Sequence, residues 1–173
     1  HDMDDQSGDM KINLLYGRKG LDLDLPENVR ATVIRKHPMI PLDDPDSAVM
    51  QALENPVGSP PLKELARGKN SACILICDVT RPVPNGRLLP PLIETITAAG
   101  IPRENILILV ATGLHRPNEG EELREVVGCD EVFNTVRIEN HFARDIDAHN
   151  DIGKTSRGVP IMIDRRFVEA GIK

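Results

Sequence analysis

Three side chains near the middle of the chain have the types and spacing to do chemistry: Asp78, Arg81 and His115. His115 is the candidate acid/base, because an imidazole with an ordinary pKa of about 6.5 suits proton transfer near neutral pH. Arg81 offers a planar fork that matches a carboxylate or a phosphate in two-point contact. Pro82 and Pro84 stiffen the loop that carries it. Asp78 directly follows the apolar run Ala72 to Cys77, where a buried carboxylate is costly without a partner. Each residue also has a plain reading: Asp78 as a helix cap, Arg81 as a surface cation, His115 as a loop histidine bonded to backbone.

Other residues can be weighed beside them. Thr112-Gly113 lets the backbone turn sharply before His115. Asn140-His141 follows a weaker strand, and His141 reads as structural or as a support for the site. His149 reads as a solvated loop residue, and His37, before Pro38, as irrelevant to chemistry. Thr155 to Pro160 is a polar turn that could present backbone N–H groups to an anion, or simply be a tight turn. Asp78, His115 and His141 could together bind zinc, but no close-spaced ligand pair supports that reading. Neither the dinucleotide-binding nor the P-loop fingerprint is present.

The elements that must position these residues alternate between strand and helix. Ala72–Cys77 and Ile106–Ala111 are continuous apolar runs, the mark of strands buried on both faces. Leu89, Leu92, Ile93 and Ile96 form a helix stripe ended by Gly100. Asn118 and Glu121 have capping-box spacing ahead of Leu123, Val126 and Val127, with Gly128 closing. Thr135–Glu139 and Val159–Ile163 are weaker strands, Arg165–Ala170 a short helix, and Ile172-Lys173 the start of another strand. Upstream, Asp44 and Ser59 each precede a proline and read as helix caps, the second helix stopping at Gly68. Lys11–Tyr16, Leu21–Leu25 and Arg30–Arg35 read as a small β region. The fold class is therefore α/β: a mainly parallel sheet flanked by helices, with a small N-terminal β region. In such sheets ligands bind at the carboxyl ends of the strands, where Asp78 and His115 fall.

Composition bounds the partners. The 173 residues suffice for one domain, expected over 11–173, with residues 1–10 as a tag-like disordered lead. A net charge of −6 and 2% aromatic residues argue against nucleic acid, which needs phosphate contacts or stacking platforms. No long apolar stretch predicts a membrane span. Three cysteines without a CxxC pair predict a reducing, cytoplasmic setting rather than a disulfide framework.

Four segments in order, DVTRPVP, ATGLHRP, ENHFARD and TSRGVP, resemble the N-terminal half of the nickel-pincer-nucleotide lactate racemase family. The resemblance implies a 2-hydroxy-acid racemase or epimerase in a longer parent protein. It implies that His115 is one of two catalytic acid/bases and that Arg81, with Asp78, helps hold the substrate carboxylate. Thr112, Gly113 and Asp78 are the residues expected to border the cofactor. The second histidine, the cofactor-bearing lysine and the nickel-binding histidine are expected beyond Lys173. The chain alone is thus expected to hold no cofactor, to carry no metal ligands and to be inactive. Its expected partners are a small 2-hydroxy acid and the C-terminal half of the same protein. The alternative is a stand-alone module that holds a small carboxylate or phosphate through Arg81 and Arg116.

Overall fold

The computed structural model describes residues 10–173. The tag-like lead lies outside the described residues, except for Met10, which opens the first strand. The chain forms two compact units that divide between Pro41 and Leu42.

The first unit contains one antiparallel hairpin, β1 (Met10–Leu14) against β2 (Leu21–Leu25). Arg30–Arg35 was expected to add a strand and does not. Its β-branched residues favour extended backbone, but a strand needs a neighbouring edge to satisfy its N–H and C=O groups. Val33 and Ile34 remain exposed.

In the second unit, α1 (Pro45–Glu54) starts as its sequence predicts. Asp44 accepts the Ser47 N–H at 3.0 Å, and Pro45 takes the first helical position. The next helix starts later than expected. It runs Leu62–Ala66 (α2) with Pro61 at its N-cap, and Ser59 bonds the Pro60 carbonyl instead of capping. Ser59 lies too far ahead of the helix to reach its free N–H groups.

Three parallel strands follow, β3 (Ala72–Ile76), β4 (Ile106–Val110) and β5 (Arg137–Asn140), in that spatial order. Ile172 makes a parallel bridge to Ala72 on the free side of β3, as a further strand would. Alternation divides the apolar runs between two faces. Ala72, Ile76, Ile106, Ile108 and Val110 pack with Leu89, Ile93 and Ile96 of α3 (Asn85–Ala98), and with Val127 of α4 (Gly120–Val127) and Val132 of α5 (Asp130–Thr135). Cys73, Leu107 and Leu109 face the other way, against Phe167 of α6 (Arg165–Glu169) and Ala170. Each fully buried Leu or Ile side chain contributes about 1.5–3 kcal/mol. That burial keeps α3 helical through Pro90 and Pro91, each of which removes a helix hydrogen bond.

Helix α5 and strand β6 (His149–Lys154) were not expected. Strand β6 pairs antiparallel with β7 (Pro160–Asp164). His149 therefore begins a strand rather than lying in a solvated loop. In the Thr155 to Pro160 turn the N–H groups of Thr155, Gly158 and Val159 are bonded within the hairpin. Thr155 and Val159 pair backbone to backbone, and Val159 N–H also meets the Thr155 hydroxyl oxygen. Gly158 supplies the left-handed φ of 80° that closes it. This is the tight-turn reading of that segment.

Candidate active site

Strands β3, β4 and β5 end side by side, and the loops leaving them carry the candidate residues. Asp78, two residues beyond β3, is 5% exposed. Both carboxylate oxygens are occupied. Thr80 donates its hydroxyl (2.6 Å) and its backbone N–H (3.1 Å) to Oδ1. Oδ2 lies 2.5 Å from His115 Nδ1. The Thr80 hydroxyl, then His115, hold the Asp78 carboxyl below the usual carboxylate range against the opposing effect of burial.

His115 hangs on a turn built by Gly113, whose φ of 58° favours glycine, and by the bond from His115 N–H to the Thr112 carbonyl at 2.9 Å. Its side chain is largely exposed. With Nδ1 committed to Asp78, the ring presents Nε2 as the nitrogen free to take or give a proton. A carboxylate that fixes the tautomer and stabilises the charged imidazolium is the arrangement of a general base.

Arg81 is exposed in the loop from β3 to α3, and it has no ion pair or side-chain hydrogen bond among the described residues. A cation held by a short, proline-braced loop can meet an incoming carboxylate without first losing a partner. Arg116 differs. Its guanidinium grips Glu122 in a two-point contact at 2.6 and 2.7 Å. Arg116 and Asn118 hold the Glu122 carboxyl down to about 2.

The relatives of this chain settle its family. Residues 16–173 match the lactate racemase N-terminal domain. The chain belongs to that family. It is 39% identical over 124 residues to a lactate racemase of Lactiplantibacillus plantarum, covering 72% of this chain and 29% of that protein. It is 33% identical over 164 residues to a lactate racemase of Thermoanaerobacterium thermosaccharolyticum, covering 93% and 38%. The structure of the lactate racemase apoprotein from the latter organism superposes with a TM-score of 0.72, over 93% of this chain and 37% of that one. A Thermotoga maritima protein, 20% identical, shares the fold with a TM-score of 0.51 over 69% of this chain and 30% of its own. The chain thus spans about a third of the length of the curated relatives it matches.

Within this lactate racemase N-terminal domain the other expected residues have settled positions. Thr112 is buried, and its hydroxyl donates to the His141 carbonyl. Gly113 is exposed, with nothing near the face where a Cβ would stand. His141 does not join Asp78 and His115. Its Nδ1 lies 2.9 Å from Asp164 Oδ2, and its ring meets His149 edge-on at 5.0 Å. The zinc reading of Asp78, His115 and His141 loses its geometry, and no metal-holding group of His, Cys, Asp or Glu stands among the described residues.

Sequence reasoning missed two supports of the site. Asp164 caps α6 and bonds Arg166, which also reaches Glu139 and the Asn140 carbonyl. Burial raises the Asp164 carboxyl, but Arg166 and His141 outweigh it and leave it well below its usual range. The second is Asn118. The capping box expected of Asn118 and Glu121 does not form: Glu119 takes the N-cap position without a side-chain bond. Asn118 is instead 1% exposed and bonded across loops. An asparagine before a helix is so often a cap that its spacing gave no signal of this.

Proposed function

We propose that this chain is the acid/base-bearing N-terminal part of a nickel-dependent 2-hydroxy-acid racemase or epimerase, and that by itself it is inactive. The observation that carries the reading is the Asp78–His115 pair at the strand ends, with Arg81 exposed on the adjoining loop. The names of its relatives support the reaction class.

The chain's residues suit the proton and carboxylate side of that chemistry. Arg81 binds the substrate carboxylate through its fork. His115 Nε2 accepts the hydroxyl proton as the α-hydrogen leaves with its electron pair, and the carbon–oxygen bond becomes a carbonyl. Asp78 stabilises the imidazolium formed. In the return step His115, or a second acid on the opposite side, gives the proton back to oxygen. A nickel-pincer nucleotide would supply, when bound, the hydride acceptor that this chemistry needs. Gly113, with its open face, would let such a group approach the backbone. The Thr112 hydroxyl and the Asp78 oxygens are already committed, so they would act on it through His141 and His115. Nickel ligands are assigned to the rest of the protein. Among the described residues no helix is long and apolar enough to cross a membrane. The three cysteines are free, which supports a reducing, cytoplasmic setting.

The anion-binding alternative relied on Arg81 and Arg116 together, and Arg116 is taken by Glu122. The deciding experiment uses the protein as expressed from its gene, together with cofactor-making machinery. Single enantiomers of several 2-hydroxy acids are followed by optical rotation. Nickel-dependent inversion that disappears in His115→Ala is expected. No nickel-dependent inversion across a broad panel would overturn the reading.

A further inference from the structure

One buried side chain connects the residues that directly follow Asp78 and His115. Asn118 Oδ1 accepts the Val79 N–H at 3.2 Å, which fixes the peptide directly after Asp78. Asn118 Nδ2 donates to Glu122 Oε1 at 2.5 Å, and Glu122 in turn clamps Arg116, the residue directly after His115. The Asn118 backbone is itself held. Its N–H donates to Asn140 Oδ1 (3.0 Å) and its carbonyl accepts from Asn140 Nδ2 (2.8 Å). The loop leaving β3, helix α4 and the end of β5 therefore meet on one residue, the first two through its side chain and the third through its backbone. Nearer the strands the Ala111 N–H donates to the Ile76 carbonyl at 2.8 Å, and beyond that bond the Asn118 contacts join the backbone beside Asp78 to the segment beside His115.

We infer that Asn118 is a positioning residue that sets the register between Asp78 and His115, acting through Val79 on one side and through Glu122 and Arg116 on the other. Thr80 orients Oδ1 of the carboxylate. It does not fix where Oδ2 stands relative to the His115 loop; Asn118 does. A shift of about 1 Å in such a pair suffices to cost on the order of a hundredfold in rate.

The inference rests on the racemase reading for its kinetic consequence only. The primary readout needs no activity: the tautomer of the neutral His115 ring, from imidazole nitrogen shifts in histidine-labelled protein, assigned with His115→Gln. The protein is used as expressed from its gene. Bonding to Asp78 requires the proton on Nδ1, so the wild type is expected to hold His115 as a single Nδ1–H tautomer. In Asn118→Ala, and more weakly in Glu122→Gln, the Nε2–H tautomer is expected to appear. Glu122→Gln keeps the buried amide and cuts only the Arg116 arm, so it serves if Asn118→Ala fails to fold. A His115 tautomer unchanged in the folded variants would overturn the inference, and so would a wild type lacking the Nδ1–H form. With 2-hydroxy acids, kcat of Asn118→Ala is expected to fall about tenfold to a hundredfold with KM nearly unmoved. A tautomer change without any racemisation would leave the positioning intact and remove the racemase reading instead.

Discussion

Gly86 of α3 and Gly128, which ends α4, meet backbone to backbone. A Cβ on Gly86 would stand 2.2 Å from the Gly128 carbonyl oxygen. Asn85 reinforces the contact by donating to the Val126 carbonyl at 2.8 Å. The start of α3 is thereby fixed directly after the loop that carries Arg81, so this helix contact also bears on where the substrate carboxylate would bind.

Gly86→Ala is therefore expected to destabilise the protein by about 1–3 kcal/mol, because the obstructing atom is backbone and cannot swing aside. Denaturant unfolding measures it. A midpoint equal to wild type would show that the two helices separate at little cost.

His115→Ala removes the proposed proton acceptor, and a loss of about 10²–10⁴-fold in kcat is expected. Asp78→Asn should fall in the same range, since an amide in place of the carboxylate no longer stabilises the imidazolium. Inversion rates on saturating 2-hydroxy acid test both. Full activity in either variant would assign the proton transfer elsewhere.

The Arg81 side chain has no ion pair or hydrogen bond among the described residues, so its removal should leave stability within about 0.5 kcal/mol. Its effect should fall on substrate affinity. Loss of a charge-assisted, two-point contact is expected to raise KM about tenfold or more in Arg81→Ala. Arg81→Lys should recover only part of it, because an ammonium lacks the fork. An unchanged KM would remove Arg81 from the substrate site.

Acid should weaken the fold through Asp78 and Asp164, whose carboxyls are both held low in the folded protein. Their stabilisation is fully present above the unfolded aspartate value of about 3.9, and is lost as pH falls through the folded values. Unfolding free energy is expected to decline below about pH 4. Asp164→Asn should be less stable at neutral pH yet lose less on acidification, since asparagine does not titrate. Equal pH slopes for the two proteins would contradict the role of Asp164.

Much of this protein was legible in its sequence. Continuous apolar runs located β3 and β4, because a strand covered on both faces must be apolar throughout, and the stripe Leu89, Leu92, Ile93 and Ile96 ended by Gly100 located α3. The place of Asp78 and His115 at successive strand ends followed from the same runs. The four ordered segments pointed to the family, and the match over residues 16–173 agrees. Other features only the tertiary structure decided. Arg30–Arg35 has strand-forming residues but finds no edge to pair with. Asp164 is polar at the end of an apolar strand, and it becomes a bonding centre because Arg166 and His141 converge on it. Asn118 has the spacing of a cap but joins the loop after β3, helix α4 and the end of β5. Local sequence sets the backbone preference of a segment. Which distant N–H or carboxylate a buried amide meets depends on strand order and loop packing, and those are fixed only when the whole sheet has closed its core.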